Sequence, residues 1–299
     1  MDSKPSPYGS DIKCKEINYT FPPQEQTRQP GMEYLMVPRP IYDNPNYIGT
    51  GKMNNQVAVI SGGDSGIGRA VAVAFAKEGA DLVLAYFDEH EDAEETKQAV
   101  EQLGQRCVLL PGDLRSNAHC SFVISYTLEM FGRIDILVNN LAVQFIQNRF
   151  TDISDEQWHT TFATNIHPFF YMTKAAVPHM KAGGSIINTT SINAYIGRKD
   201  LIDYTTTKGA IVSFTRALAN NLVDQGIRVN AVAPGPIWTP LIPASFTPDM
   251  VKTFGSDVPM KRAGHPYELA PVYVLLASSD GSYITGQTIH INGGEFVGS

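Results

Sequence analysis

Residues 57–87 read VAVISGGDSGIGRAVAVAFAKEGADLVLAYF, and three structural elements follow one another in that stretch. VAVIS (57–61) is a continuous apolar run of strand length, as expected of a strand buried on both faces. SGGDSGIG then turns the chain, with glycines at Gly62, Gly66 and Gly68 in a GxxxGxG spacing instead of the commoner GxGxxG. Glycines at such a turn allow a tight reversal, let the backbone approach a ligand, and leave helix N–H groups free to meet an anion. From Gly66 to Glu78 apolar residues recur at helical spacing, and ADLVLAYF resumes as a second strand. A glycine-rich turn alone is weak evidence. Placed directly after a buried strand and opening an amphipathic helix, it has the setting of a dinucleotide pyrophosphate site.

The alternation continues outward. EHEDAEETKQAVEQLG reads as a charged, exposed helix ending at Gly104, its EDAEE run a solvated face, and QRCVLLPGD as a third strand. DILVNN, GGSIINTTS, GIRVNAVAPG and GQTIHINGG supply the fourth to seventh strands, with helical segments between them. Continuous apolar strands alternating with helices predict one α/β domain over residues 51–299. Its expected architecture is a Rossmann-like, doubly wound parallel sheet of about seven strands covered by helices on both faces. Residues 1–50 carry eight prolines and no helical or alternating pattern, and read as an extended arm. Its Phe21, Met32, Tyr34, Leu35, Met36 and Tyr47 are too apolar for a solvated tail, so the arm is expected to pack on folded protein, while residues 1–20 read equally well as disordered. Residues 237–261 interrupt the alternation with Pro240, Pro243, Pro248 and Pro259 among apolar side chains, the texture of a lid over a substrate.

Composition narrows the function. The chain has 299 residues, 43% hydrophobic and 18% charged, and a net charge of -7 with no dense basic run, which disfavours nucleic acid. It has no apolar run long enough to cross a membrane, and the start MDSKPSPYGSDIKCKE lacks a secretory apolar segment, so a cytoplasmic location is expected. Cys14, Cys107 and Cys120 match no metal or disulfide spacing and read as reduced thiols. His167, His179, His265 and His290 are scattered and read as structural, and Ser61 and Ser65 lack the G-x-S-x-G surroundings of a hydrolase nucleophile.

The chemistry lies in Tyr204 and Lys208, written YTTTK, with Ser191 thirteen residues before the tyrosine. Residues four apart share a helix face, so an ammonium beside the phenol would hold it closer to ionisation. Free tyrosine, with a pKa of about 10, needs such help to act as a base near neutrality.

On these motifs the chain resembles the short-chain dehydrogenase/reductase family from roughly Gly51 to its C-terminus. The turn matches at Gly62, Asp64, Ser65, Gly66, Ile67 and Gly68; GDL puts Asp113 and Leu114 where the family contacts adenine; and NNLA stands at the family's NNAG, with Asn140, Leu141 and Ala142. Asn165, Ser191, Tyr204 and Lys208 match the catalytic set, and PGPIWTP, with Pro234 and Gly235, matches a coenzyme-binding segment whose Ile237 and Thr239 would lie against the nicotinamide carboxamide. The resemblance implies hydride transfer between NAD or NADP and a carbonyl or secondary alcohol, with Tyr204 as acid/base, Ser191 on the substrate oxygen, Lys208 on the ribose and Asn165 supporting a water chain. Within the family the arm resembles a bacterial subgroup of general-stress or aldehyde-reductase-like oxidoreductases.

Where NAD forms of the family carry an Asp, this chain has Tyr86 and Phe87, then Asp88. Asp64 and Asp88 would repel a 2'-phosphate and Arg69 would attract one, a balance that leans slightly to NAD. The pocket is expected to be apolar, lined by Phe145, Ile146, Tyr195, Ile196, Trp238 and Leu241 with Gln144, Gln147 and Asn193 as polar handles. Gln144, Asn193, Tyr195 and Trp238 are the substrate candidates. A modest aldehyde or ketone fits, a sugar 1-dehydrogenase is the alternative, and a non-catalytic nucleotide-sensing scaffold is a third reading. The resemblance also implies a homotetramer.

Overall fold

The structure, a computed structural model, describes residues 10–13 and 15–298. Residues 1–9 of the arm and Cys14 lie outside the described residues. In chain order the elements are β1 (Ser10–Ile12), β2 (Glu16–Asn18), β3 (Val57–Ser61), α1 (Gly66–Lys77), β4 (Asp81–Tyr86), α2 (His90–Gln102), β5 (Cys107–Pro111), α3 (Asn117–Phe131) and β6 (Ile136–Asn139). There follow α4 (Asp155–Asn165), α5 (His167–Ala176), β7 (Ser185–Thr189), α6 (Asn193–Ile196), α7 (Ile202–Leu222), β8 (Arg228–Pro234), α8 (Pro248–Lys252), α9 (Ala270–Ala277) and β9 (Thr288–Ile291).

Seven strands form one parallel sheet in the order β5-β4-β3-β6-β7-β8-β9, so all seven expected strands are present. Their apolar runs are continuous because both faces are covered. Ala58, Ile60, Leu82, Leu84 and Val138 pack under α1 and α9. Their alternates Val59, Val83, Ala85 and Leu137 pack under α3, α5 and α7. The chain reverses direction across the sheet between β3 and β6, which opens a crevice beyond their carboxyl ends.

Gly68 is required by packing. A Cβ there would sit 1.8 Å from the Gly62 carbonyl oxygen, so α1 could not lie this close to the turn with any other residue. Cys107 and Cys120 are buried, and burial pushes both thiols up to about 12, as inert packing residues require.

The arm is more ordered than its composition suggested, since β1 and β2 pair antiparallel. Beyond them Phe21 stacks on Trp238 at 3.8 Å between ring centroids, Lys77 pairs with Asp43 at 2.5 Å, and His265 Nδ1 accepts from the Ile41 N–H at 3.1 Å. Of the expected apolar anchors Met36 is buried, whereas Leu35 is 55% exposed. Three arm glutamines substitute for secondary structure. Gln24 engages both the N–H and C=O of Val37, Gln26 does the same to Met32, and Gln29 to Gln144.

Candidate active site

α7 begins under Asp203, which is fully buried and accepts from Thr161 Oγ1 at 2.7 Å, Gln157 Nε2 at 3.0 Å and the Tyr204 N–H at 2.9 Å. That anchorage ties the first turn of α7 to α4 and aims Tyr204 and Lys208 along one face toward the end of β7. Lys208 Nζ donates to the Thr189 carbonyl at 3.0 Å and lies 5.4 Å from the centre of the Tyr204 ring. Tyr204 hydrogen-bonds Ser191, whose Oγ also accepts from the Asn193 N–H at 3.2 Å. Ser191, Tyr204 and Lys208 thus meet at one point.

Burial governs their ionisation. It pushes the Tyr204 phenol up to about 12 against weaker opposing pulls from Ser191 and Arg198, and it pushes Lys208 down to about 7. The sequence argument had the ammonium drawing the phenol toward ionisation. In this structure burial is the largest effect on both groups and favours their neutral forms, so the phenol shifts up.

The three residues open onto a cleft of about 870 Å³ at the crevice of the sheet. Gly62, Asp64, Ser65, Gly66 and Ile67 line one end, with Tyr86, Phe87, Asp113 and Leu114 beyond them. Asn140, Leu141 and Ala142 follow β6, and Pro234, Gly235, Ile237 and Thr239 follow β8 along the opposite wall. Gln144 and Asn193 also face the cleft. Gly68 and Asn165 do not. Asn165 is buried and bonds both backbone groups of Val143, at 2.8 and 2.9 Å.

The turn fits a dinucleotide. Gly62 and Gly66 have φ of +64° and +52°, and a Cβ on them would come within 3.2 Å of Leu141 Cα and Thr239 Cγ2 respectively, closing the floor of the cleft. Among the described residues no group of three or more His, Cys, Asp or Glu side chains is placed to hold a metal ion.

Residues 62–295 match the family model described as enoyl-(acyl carrier protein) reductase. The chain belongs to the short-chain dehydrogenase/reductase family. Over 93% of its length and 97% of theirs it is 50% identical to a glucose and ribitol dehydrogenase of Daucus carota. It is 49% identical to the NADPH-dependent aldehyde reductase 1, chloroplastic, of Arabidopsis thaliana, across 92% of this chain and 98% of that one. Among solved structures, a short-chain dehydrogenase from Burkholderia cenocepacia in complex with NADP aligns with a TM-score of 0.77 and 27% identity, covering 82% of this chain and 99% of that one.

Within this short-chain dehydrogenase/reductase several expected site residues are elsewhere. Trp238 is fully buried, stacked on Phe21 with Nε1 donating to the Pro38 carbonyl at 2.8 Å, so it anchors the arm and cannot touch substrate. Tyr195 packs on His290 and Phe296 outside the cleft. Arg69 is fully buried and spent on Glu33 at 2.8 Å, Glu95 at 3.1 Å and Asp92 at 3.3 Å, so it cannot reach a 2'-phosphate. The EDAEE face is not solvated throughout, because Asp92 is buried and accepts the N–H groups of Glu33 and Tyr34.

Asp88, counted as a repelling charge, is paired with Arg28. Burial raises Asp64, and it lifts the adjacent Glu89 to about 8, which weakens both as repelling charges. The charges counted on both sides of the balance are thus weakened, and they fix no preference between NAD and NADP. Arg28, Gln29 and Glu89 line the cleft without the sequence having revealed them, and Glu33, fully buried, bonds the turn at Gly66. The three arm residues stand far from their partners in sequence, and no local pattern marks them.

Proposed function

We propose that this enzyme transfers hydride between NAD(H) or NADP(H) and an aldehyde, ketone or secondary alcohol of modest size. One observation carries the reading: Ser191, Tyr204 and Lys208 converge in the same cleft as the glycine turn. When bound, the nicotinamide cofactor donates or accepts the hydride. Gly62 to Ile67 would hold its pyrophosphate, Asp113 and Leu114 its adenine, and Ile237 and Thr239 its carboxamide.

In reduction Tyr204 gives its phenolic proton to the carbonyl oxygen, and in oxidation it takes that proton from the alcohol. Ser191 hydrogen-bonds the same oxygen and fixes its position. Lys208, seated on the Thr189 carbonyl, would hold the ribose of a bound coenzyme. Asn165 uses both amide donors on Val143 and Thr207, so it holds the wall after β6 and can serve a water chain through an Oδ1 lone pair.

Substrate character follows from the lid. Leu241, Ile242, Phe246 and Met250 give the cleft an apolar wall, with Phe145 opposite, and this supports a carbonyl compound with a small apolar body. The Arabidopsis relative is named an aldehyde reductase. A second reading, a sugar or polyol, is favoured by Arg198, Asp257 and Glu295 at the same wall and by the name of the carrot relative. Initial rates with both reduced coenzymes on aliphatic aldehydes, ketones and aldoses, and with both oxidised coenzymes on the matching alcohols and sugars, separate the two. Turnover of none of these in either direction would refute the assignment and revive a nucleotide-sensing scaffold.

We further infer a homotetramer in the cytoplasm. The exposed Phe122 and Met130 on α3 and Phe170 on α5, helices that pack side by side, support burial against another copy. Reduced, buried cysteines support the compartment.

A further inference from the structure

Between Arg28 and Glu33 the arm meets four separate segments around the cleft. Arg28 pairs with Asp88 beyond the end of β4, and Gln29 bonds the Gln144 peptide groups on the wall after β6. Gly31 lies so close to the lid that a Cβ on it would be 2.5 Å from the Pro240 carbonyl oxygen. Glu33 accepts the Gly66 N–H at 2.6 Å at the glycine turn. The segment is a built loop and not a draped tail. Gln26 closes it by bonding both backbone groups of Met32, at 2.7 and 2.8 Å, and the Gln26 N–H donates to Pro243 of the lid at 2.7 Å. Its tip, Arg28 to Gly31, lines the same cleft as Ser191, Tyr204 and the turn.

We infer that this loop is part of the coenzyme site, a strap across the dinucleotide, in which Gln29 is the positioning residue for the wall that follows β6. The inference rests on the coenzyme reading above.

Gln29 engages the N–H and the C=O of one residue, Gln144, with its two polar atoms. Its Oε1 accepts the Gln144 N–H at 3.0 Å, and its Nε2 donates to the Gln144 carbonyl at 2.6 Å. Asn165 makes the same two bonds to the preceding residue, Val143. Two side-chain amides, one from the catalytic set and one from the arm, therefore hold the backbone of two consecutive residues, Val143 and Gln144. The wall they fix continues directly from Asn140, Leu141 and Ala142, which line the coenzyme cleft. An irregular wall with no ladder partners keeps its shape only if such groups hold it. A donor and an acceptor are both needed at position 29, which a carboxylate cannot supply and a protonated carboxyl can.

The test is coenzyme release from the full chain, measured by stopped-flow displacement of NADH and of NADPH. Gln29→Ala should raise the off-rate of each about tenfold, with on-rates changed by less than about threefold, because the wall loses its fixed geometry after binding and not its accessibility. Gln29→Glu should release coenzyme fast at neutral pH, and the ratio of its off-rate to that of wild type at the same pH should fall toward one as pH drops through the titration of its carboxyl, a comparison in which the titration of Asp64 and Glu89, common to both proteins, cancels. A purely structural contact would change thermal stability and leave both off-rates alone, and that result overturns the inference. If wild-type protein binds neither coenzyme, the function proposed above falls and this inference falls with it. If wild type binds and Gln29→Ala releases at the same rate, only this inference falls.

Discussion

Replacing Tyr204 by Phe removes one oxygen from the site and little else. The ring is 7% exposed and packs with Leu201, Trp238 and Ile242, contacts that phenylalanine retains. The oxygen's visible structural debt is its hydrogen bond with Ser191, and losing one such bond is worth about 1 kcal/mol. At about 2–4 °C per kcal/mol for a chain of this size, the melting midpoint should fall by no more than about 4 °C. Coenzyme affinity should be unchanged, since Lys208 keeps its own bond to Thr189. The transferable proton, by contrast, is gone, and general acid/base groups supply about a hundredfold to ten-thousandfold in rate, or about 3–5 kcal/mol of barrier. The assay is the initial rate of NAD(P)H consumption on the best carbonyl substrate, beside a fluorescence titration of coenzyme and a thermal melt. The variant should bind and melt like wild type and turn over at under a hundredth of its rate. Retention of more than a tenth of wild-type kcat would falsify the acid/base role of Tyr204.

Three further outcomes follow from the same structure. With the phenol pushed up to about 12, its acid form is available for reduction across the ordinary range while the phenolate needed for oxidation increases with pH. The pH profile of kcat/KM for alcohol oxidation should therefore climb above neutrality while that for carbonyl reduction does not, and a flat oxidation profile contradicts this. Arg69→Met takes from the buried Glu33 and Asp92 their nearer cation and leaves them only Arg39, at 3.8 and 3.9 Å, a loss of about 3 kcal/mol that should lower the melting midpoint by about 6 °C or more and expose the arm to brief proteolysis. An unchanged melt and an intact arm would show that the arm is held by other contacts. Sedimentation at micromolar concentration should give a single species near four chains, and a monomer rules out the tetramer.

What the sequence conveyed well was local. Each strand of the sheet is a short apolar run bounded by polar or glycine residues, and burial on both faces makes such runs readable without knowing what covers them. The spacing of Tyr204 and Lys208 is a property of one helix, and the glycine turn is a property of eight consecutive residues. Trp238 was misread because apolar residues in a lid look alike in sequence whether they face a substrate or Phe21, over two hundred residues away. Arg69 was read as a group facing the coenzyme and Asp92 as part of a solvated face because their common partner, Glu33, comes from an arm with no periodic pattern.

The α/β class, the strand order along the chain, the glycine turn and the spacing of the proposed catalytic residues Ser191, Tyr204 and Lys208 were determined by the sequence itself, since each depends on residues close together in the chain. Tertiary structure alone decided the direction in which Tyr204 and Lys208 titrate, because desolvation depends on everything packed around a group. It alone also placed the arm over the cleft, through bonds such as Gln29 to Gln144 and Glu33 to Gly66. Those bonds join side chains to peptide groups that every residue possesses, so no residue type at the receiving end announces them.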